Sequence, residues 1–251
     1  MSYLHDPLPD LLELAHYLGA EHRDYAIIGE GNVSARLDAE TFLIKASGSS
    51  LQTLQAHQVA RVRFAPVLSA LERARLSDEE ARAVLDAARA DTAQPWPSVE
   101  TFFHALLYAL TDAQFIGHTH PVAVCSVLCS VNAALITRHL MPDEIVVCGP
   151  ESIFVPYIDP GVPLARAIGE RVQAYQARWG ESPRTIYLQN HGLIALGATA
   201  RQVQNVTAMA VKHARVLMGA LSCGGAQFLD AHAAERIHTR PDEAIRRAQF
   251  K

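Results

Sequence analysis

The sequence predicts an α/β fold in which a mostly antiparallel or mixed sheet is covered by helices on its faces. Three observations lead to that class. Short apolar runs of strand length come in pairs joined by turn residues. Longer segments between them repeat apolar residues at helical spacing and open on capping residues. No Pro/Gly/Ser-rich boundary and no internal repeat interrupts the 251 residues, so 1–251 reads as a single domain, long enough for a sizeable core.

The elements follow in order. Leu8 to Leu18 has helical spacing and a stop at Gly19. Asn32–Leu37 and Thr41–Lys45 are strand runs joined by Asp38-Ala39-Glu40, and Ala46-Ser47-Gly48 ends the second. Ser77 caps a helix to about Ala90, with Glu80 completing a capping box. Past a loop from Asp91 to Pro97, Ser98 caps a helix built on Val99, Phe102, Phe103, Leu106, Leu107 and Leu110. Phe115 to His118 reads as a strand entering the core, and the run after Pro121 to Cys129 as a helix. Ile145–Cys148 and Ile153–Val155 read as strands, and Leu164–Trp179 as a helix stopped by Gly180. Arg184–Leu188 and Leu193–Leu196 are strands with Asn190-His191-Gly192 at the bend. Thr199 opens a further helix, ended by Gly224-Gly225.

Bulk properties exclude several classes. With 49% hydrophobic and 19% charged residues the chain is no disordered segment. A formal net charge of −4 and no long Lys/Arg block argue against a nucleic-acid partner. The apolar stretch from Pro121 to Ile136 is too short and too polar to span a membrane, and the amino terminus lacks a signal-peptide pattern. Cys125, Cys129, Cys148 and Cys223 form no CxxC pair and read as buried reduced thiols, so a cytoplasmic location is expected.

His118-Thr119-His120 is the sharpest chemical signal. Residues two apart on a strand share a face, so both imidazoles can reach one ion, and neutral imidazole is a good zinc ligand. His191, at a strand end beside Gly192, can converge on them; three histidines leave one zinc position open, as in catalytic sites. Twelve histidines in the chain make a chance HxH the competing explanation, and a turn-capping role is the competing one for His191. Glu100 is placed in the first turn of its helix, either as a plain dipole-favoured carboxylate or as a general base beside the metal. His104, one turn on, reads as a packing or supporting group rather than a ligand. His139, His213, His232 and His238 are left as surface or core residues. The turns Gly29–Ser34 and Lys45–Ser49 can each expose N–H groups to an anion, although most glycine turns are only turns.

Taken together, GNVS at 31–34, KASGSSL at 45–51, PSVE at 97–100, GHTHP at 117–121 and NHGLIALG at 190–197 resemble the class II aldolase/adducin family. The pieces are loose singly and specific in their order and spacing, and they span about residue 29 to 225. The resemblance implies a three-layer α/β/α sandwich around a mainly antiparallel sheet, assembled as a homotetramer with sites between subunits. It implies Zn2+, with Mn2+ or Co2+ able to substitute, on His118, His120 and His191, and Glu100 as the acid/base. It implies a phosphate held by Asn32, by Ser47 and Gly48, and by Ser98. Two departures count against fuculose phosphate itself: Val99 stands where the family has a second serine, and no tyrosine follows the HTH helix near Leu140-Met141-Pro142. Leu140 to Pro150 is similar instead to the rhamnulose-phosphate aldolase half of bifunctional aldolase/dehydrogenases.

The expected activity is reversible aldol cleavage of a ketose 1-phosphate, a small sugar phosphate, through a metal-stabilised enediolate. Glu100 would shuttle the proton, with its pKa raised toward neutrality by burial. The alternatives are epimerisation, dehydration or decarboxylation at the same metal, on a sugar or carboxylate; a non-catalytic adducin-like interaction protein; and a structural metal domain.

Overall fold

The computed structural model describes residues 6–243. Helix α1 is Leu8–Leu18, as its spacing predicts. Strands β1 (Asn32–Arg36) and β2 (Thr41–Lys45) form the expected hairpin, closed by Asp38, whose carboxylate accepts the Glu40 and Thr41 N–H groups. Next come β3 (Val59–Arg63) and α2 (Phe64–Leu71), neither of them anticipated. They abut with no turn between them, so no punctuation marks the change of period. Helix α3 (Asp78–Ala88) has its reciprocal capping box at Ser77 and Glu80. Helix α4 is Thr101–Leu110, β4 Phe115–Thr119 and α5 Val122–Leu128.

The run Ile145–Cys148, expected as a strand, is instead the end of helix α6 (Pro142–Cys148). Pro142 stands at the start, where a missing N–H costs nothing, and Asp143 and Glu144 fill the first turn. A four-residue apolar run carries no period that could have decided this. Strand β5 (Ile153–Val155) and helix α7 (Val162–Trp179), stopped by Gly180 in the left-handed conformation, follow. Strands β6 (Thr185–Leu188) and β7 (Gly192–Gly197), helix α8 (Ala200–Ser222) and helix α9 (Ala231–Thr239) complete the described chain. Of the four cysteines, Cys148 is buried, Cys125 intermediate, and Cys129 and Cys223 are exposed; all are free thiols. Burial thus fails for the exposed pair, which sit at helix ends.

The seven strands make one mixed sheet, β3-β2-β1-β4-β7-β6-β5. Every pair is antiparallel except β5 with β6. Alternation along the strands feeds two cores. Phe42, Ile44, Ile116 and Ile194 pack with α2, α3, α4 and α7; Val33, Leu43, Ala195 and Tyr187 pack with α1, α5 and α8. The expected sandwich of sheet between helices is therefore present. No helix among the described residues is long and apolar enough to cross a membrane.

A buried polar pair fixes the start of α6. The His139 ring meets the Glu144 carboxylate at 2.7 Å through Nδ1 and the Pro150 carbonyl at 2.8 Å through Nε2. Both partners only accept, so the ring is best served protonated. Burial alone would lower the His139 pKa, but the hydrogen bond and charge of Glu144 outweigh it and raise the value. A raised histidine contributes stability that is complete below its unfolded pKa of about 6.5 and fades as pH climbs through the folded value. His139→Gln should therefore melt below the wild type by the widest margin in mild acid, the gap narrowing as pH rises above the ordinary histidine range. Thermal melts across that range would contradict the assignment if the gap did not change with pH.

Candidate metal centre

The site forms where the central strands end. Register places Asn32 of β1, His118 of β4 and Ile194 of β7 side by side. Alternation turns His118 toward α4, where its ring meets Phe103 edge-on at 5.5 Å. His120 lies one residue past the end of β4, on the same side. His191 comes from the β6–β7 turn, where Asn190 takes the left-handed conformation at φ 54°. Gly192 has a different task from the sharp turning its sequence suggests. A Cβ there would stand 2.5 Å from the Thr119 carbonyl oxygen and 2.7 Å from the His120 ring, so only glycine lets β7 close on β4.

The three imidazoles pack edge to face, ring centres 4.8–5.0 Å apart. His118 and His120 bring their Nε2 atoms within 3.0 Å. Glu100 Oε1 lies 3.2 Å from the Nε2 atoms of both His118 and His191. One ligand atom from each of the four residues falls within 4.8 Å of the others, which is a group able to hold a metal ion.

The outer nitrogens explain why this set suits a cation. His118 Nδ1 sits 3.0 Å from the Leu193 carbonyl oxygen, and His120 Nδ1 sits 3.0 Å from Glu30 Oε2. Carbonyl and carboxylate oxygens only accept, so each Nδ1 carries the proton and each Nε2 turns a lone pair inward. Lone pairs and a carboxylate facing one another at this range need positive charge among them. His120 fits a neutral ligand: burial lowers its pKa to about 3.

Glu100 is not inside the first turn of α4 but immediately before it, as the N-cap residue. Its side chain caps nothing and points into the cluster, where Asn32 Nδ2 donates to Oε2. The expected upward pKa shift is reversed. Burial pushes up, but protonated His118 and His191 rings, donating from Nε2, would hold the carboxyl well below the usual range. A cation bound among the lone pairs would act in the same direction.

The remaining expected residues lie around this centre with mixed prospects. Asn32 is 3% exposed; its amide is committed to Glu100, and its Oδ1 has no partner. Ser98 Oγ accepts the Glu100 N–H at 3.3 Å, closing the turn before α4. Ser47 donates its N–H to the Trp96 carbonyl, and Ala46 bridges Pro97, so the 46–48 turn and the 97–100 segment are tied side by side. Val99 is exposed and, with Ser47, Arg82 and Trp96, lines a cavity of about 360 Å³ beside this segment. His104 is no ligand; its Nδ1 bonds Ser34 Oγ at 2.7 Å, and burial drops its pKa to about 3. Cys125, pushed up to about 12 by burial, remains a thiol and donates to the His191 carbonyl.

Glu30 escaped the sequence reading. It holds His120 through one oxygen and accepts the Ile27 N–H at 2.6 Å through the other. Its signal was present: a carboxylate between two glycines, in a turn already singled out for its N–H groups. Gly31 brings it close, with φ 75° and a Cβ position only 2.7 Å from the His118 carbonyl oxygen.

Comparison with known proteins agrees with this architecture. The uncharacterized oxidoreductase YuxG of Bacillus subtilis (strain 168) is 28% identical over 196 residues, which are 74% of this chain and 26% of that protein. The chain thus spans about a quarter of that curated relative's length. Its fold resembles the N-terminal class II aldolase domain of a conserved protein from Thermoplasma acidophilum (TM-score 0.68, 22% identity, 87% of this chain and 96% of that one). It also resembles L-fuculose-1-phosphate aldolase from Thermus thermophilus (TM-score 0.62, 17% identity, 88% and 97%). The sequence profile of the family described as Class II Aldolase and Adducin N-terminal domain matches residues 10–218, and this chain belongs to that family.

Proposed function

We propose that the protein is a metal-dependent aldehyde-lyase that cleaves a ketose 1-phosphate by reversible aldol chemistry, with zinc as its ion. One observation carries the reading: three inward-facing Nε2 atoms and a carboxylate meet at one point, with the outer nitrogens of His118 and His120 committed to acceptors. A divalent ion there supplies Lewis-acid stabilisation of the charge that builds on a substrate carbonyl oxygen. His118, His120 and His191 would hold it, with Leu193 and Glu30 setting the orientation of the first two. Glu100, kept ionised by its neighbours, takes the proton from the substrate hydroxyl or returns it at carbon. Asn32 aims the Glu100 carboxylate, and the Ser47–Gly48 turn with Ser98 borders the space for an anionic end. The working unit is a homotetramer in this proposal.

A second reading is favoured by two details. Val99 offers no hydroxyl, and the Asn32 amide is already engaged by Glu100, so a phosphate finds fewer donors than expected. A hydrogen bond to a charged group is worth about 1.5–3 kcal/mol, enough to shift preference toward a carboxylate. Epimerisation, dehydration or decarboxylation of a sugar acid would use the same four groups. Turnover assays with ketose 1-phosphates and aldonates, with and without chelator, separate the two. Release of dihydroxyacetone phosphate, abolished by chelation, is the expected result; turnover confined to aldonates would overturn the ketose phosphate.

A further inference from the structure

The segment that leads into Glu100 carries two exposed apolar side chains, Trp96 at 38% and Val99 at 41%. Neither belongs to a core cluster or packs against one among the described residues. Their exposure therefore gives the fold no return. Both border the cavity of about 360 Å³ beside the metal centre, and helix α3 forms its other side. Ala81, Arg82 and Leu85 line it with Asp78, at the three- and four-residue spacing of one helix face. The buried members of the lining, Leu85 and Pro97, are apolar, whereas Asp78 and Arg82 are exposed. The cavity is thus apolar in its depth and charged at its rim, the usual character of a small-molecule pocket.

The indole is held in place before any ligand arrives. The Trp96 carbonyl accepts the Ser47 N–H at 2.9 Å, and Pro97 bridges Ala46. The Trp96 ring centre lies 4.7 Å from the Arg89 guanidinium and 5.1 Å from that of Arg82, within range for a cation on an aromatic ring. Arg89 is buried and fixed by Asp86 and by the Thr92 and Gln94 carbonyls. A wall ordered in advance loses little freedom on binding. The cavity also adjoins the reacting centre. Glu100 turns its carboxylate to the histidines, while Val99, one residue earlier, lines the cavity with methyl groups.

We propose that this cavity receives an apolar substituent of the substrate, with Trp96 and Val99 as specificity-determining residues. The inference rests on the metal-dependent reading above and narrows its substrate to a compound with a hydrocarbon or aromatic group beyond the oxygens that reach the ion.

The test uses the zinc-loaded full chain and the metal chelators acetohydroxamate, benzohydroxamate and 3-phenylpropionohydroxamate. The last two add a ring at different lengths. Trp179→Phe leaves Trp96 as the chain's only tryptophan, so its emission reports on the cavity. One of the ring-bearing compounds should bind about tenfold tighter than acetohydroxamate and change the Trp96 emission. Trp96→Ala should lose that advantage and Val99→Ser part of it, both binding acetohydroxamate as the wild type does in calorimetry. No advantage in the wild type, or one retained in both variants, overturns the pocket and leaves the metal centre standing. Trp96 emission that shifts when the protein alone is diluted assigns this wall to a second copy of the chain and overturns the substituent. Acetohydroxamate that fails to bind the zinc-loaded wild type overturns the metal-dependent reading, and this proposal with it.

Discussion

Replacing Glu100 by glutamine should lower kcat by about 10²–10⁴-fold, the usual contribution of a general acid–base group, while bound metal persists. Shape is kept and charge is lost. Glutamine fits the same space, and its carbonyl can still accept from Asn32 Nδ2 as the Glu100 carboxylate does. The imidazoles keep their places because Leu193 and Glu30, not Glu100, orient His118 and His120. Only the base is gone, so the loss belongs in kcat rather than KM. Steady-state kinetics with metal analysis on the same sample checks both halves. A kcat like that of the wild type would assign proton transfer elsewhere, and loss of the metal would make Glu100 a ligand first.

The parts of this site that the chain spells locally were legible. HxH works through the two-residue period of a strand, which needs no knowledge of neighbours. Capping at Ser77 and the Asp38 turn are likewise contacts within four residues. What escaped depends on partners far along the chain. Glu30 orients a histidine 90 residues away, and its place between two glycines does not name that partner. Gly192 looks like a turn glycine, but its reason lies in the close approach of Thr119 and His120 from another strand. Lys45 stands inside a motif that gives it no role; its burial and its hydrogen bonds to the Gly29, Ala46 and Ser49 carbonyls are properties of the folded chain. The same limit hides the helix at Ile145–Cys148: its packing against α8 and α9, with His139 holding Glu144, decides for helix where four apolar residues cannot.

Everything proposed for the mechanism depends on whether these four residues hold an ion. His118 is the ligand to remove: it is fully buried, its Nδ1 is fixed by Leu193, and its Nε2 contacts both His120 and Glu100. Alanine there deletes one of three nitrogen ligands and leaves a small space that water can enter, so the sheet should still fold. Elemental analysis of the wild type and of His118→Ala, each loaded with zinc and dialysed alongside, is the measurement. We expect about one zinc per wild-type chain, and loss of most of it from a His118→Ala chain that keeps its circular dichroism. A wild type that retains no divalent ion, or a folded His118→Ala that keeps its full complement, would refute the metal centre.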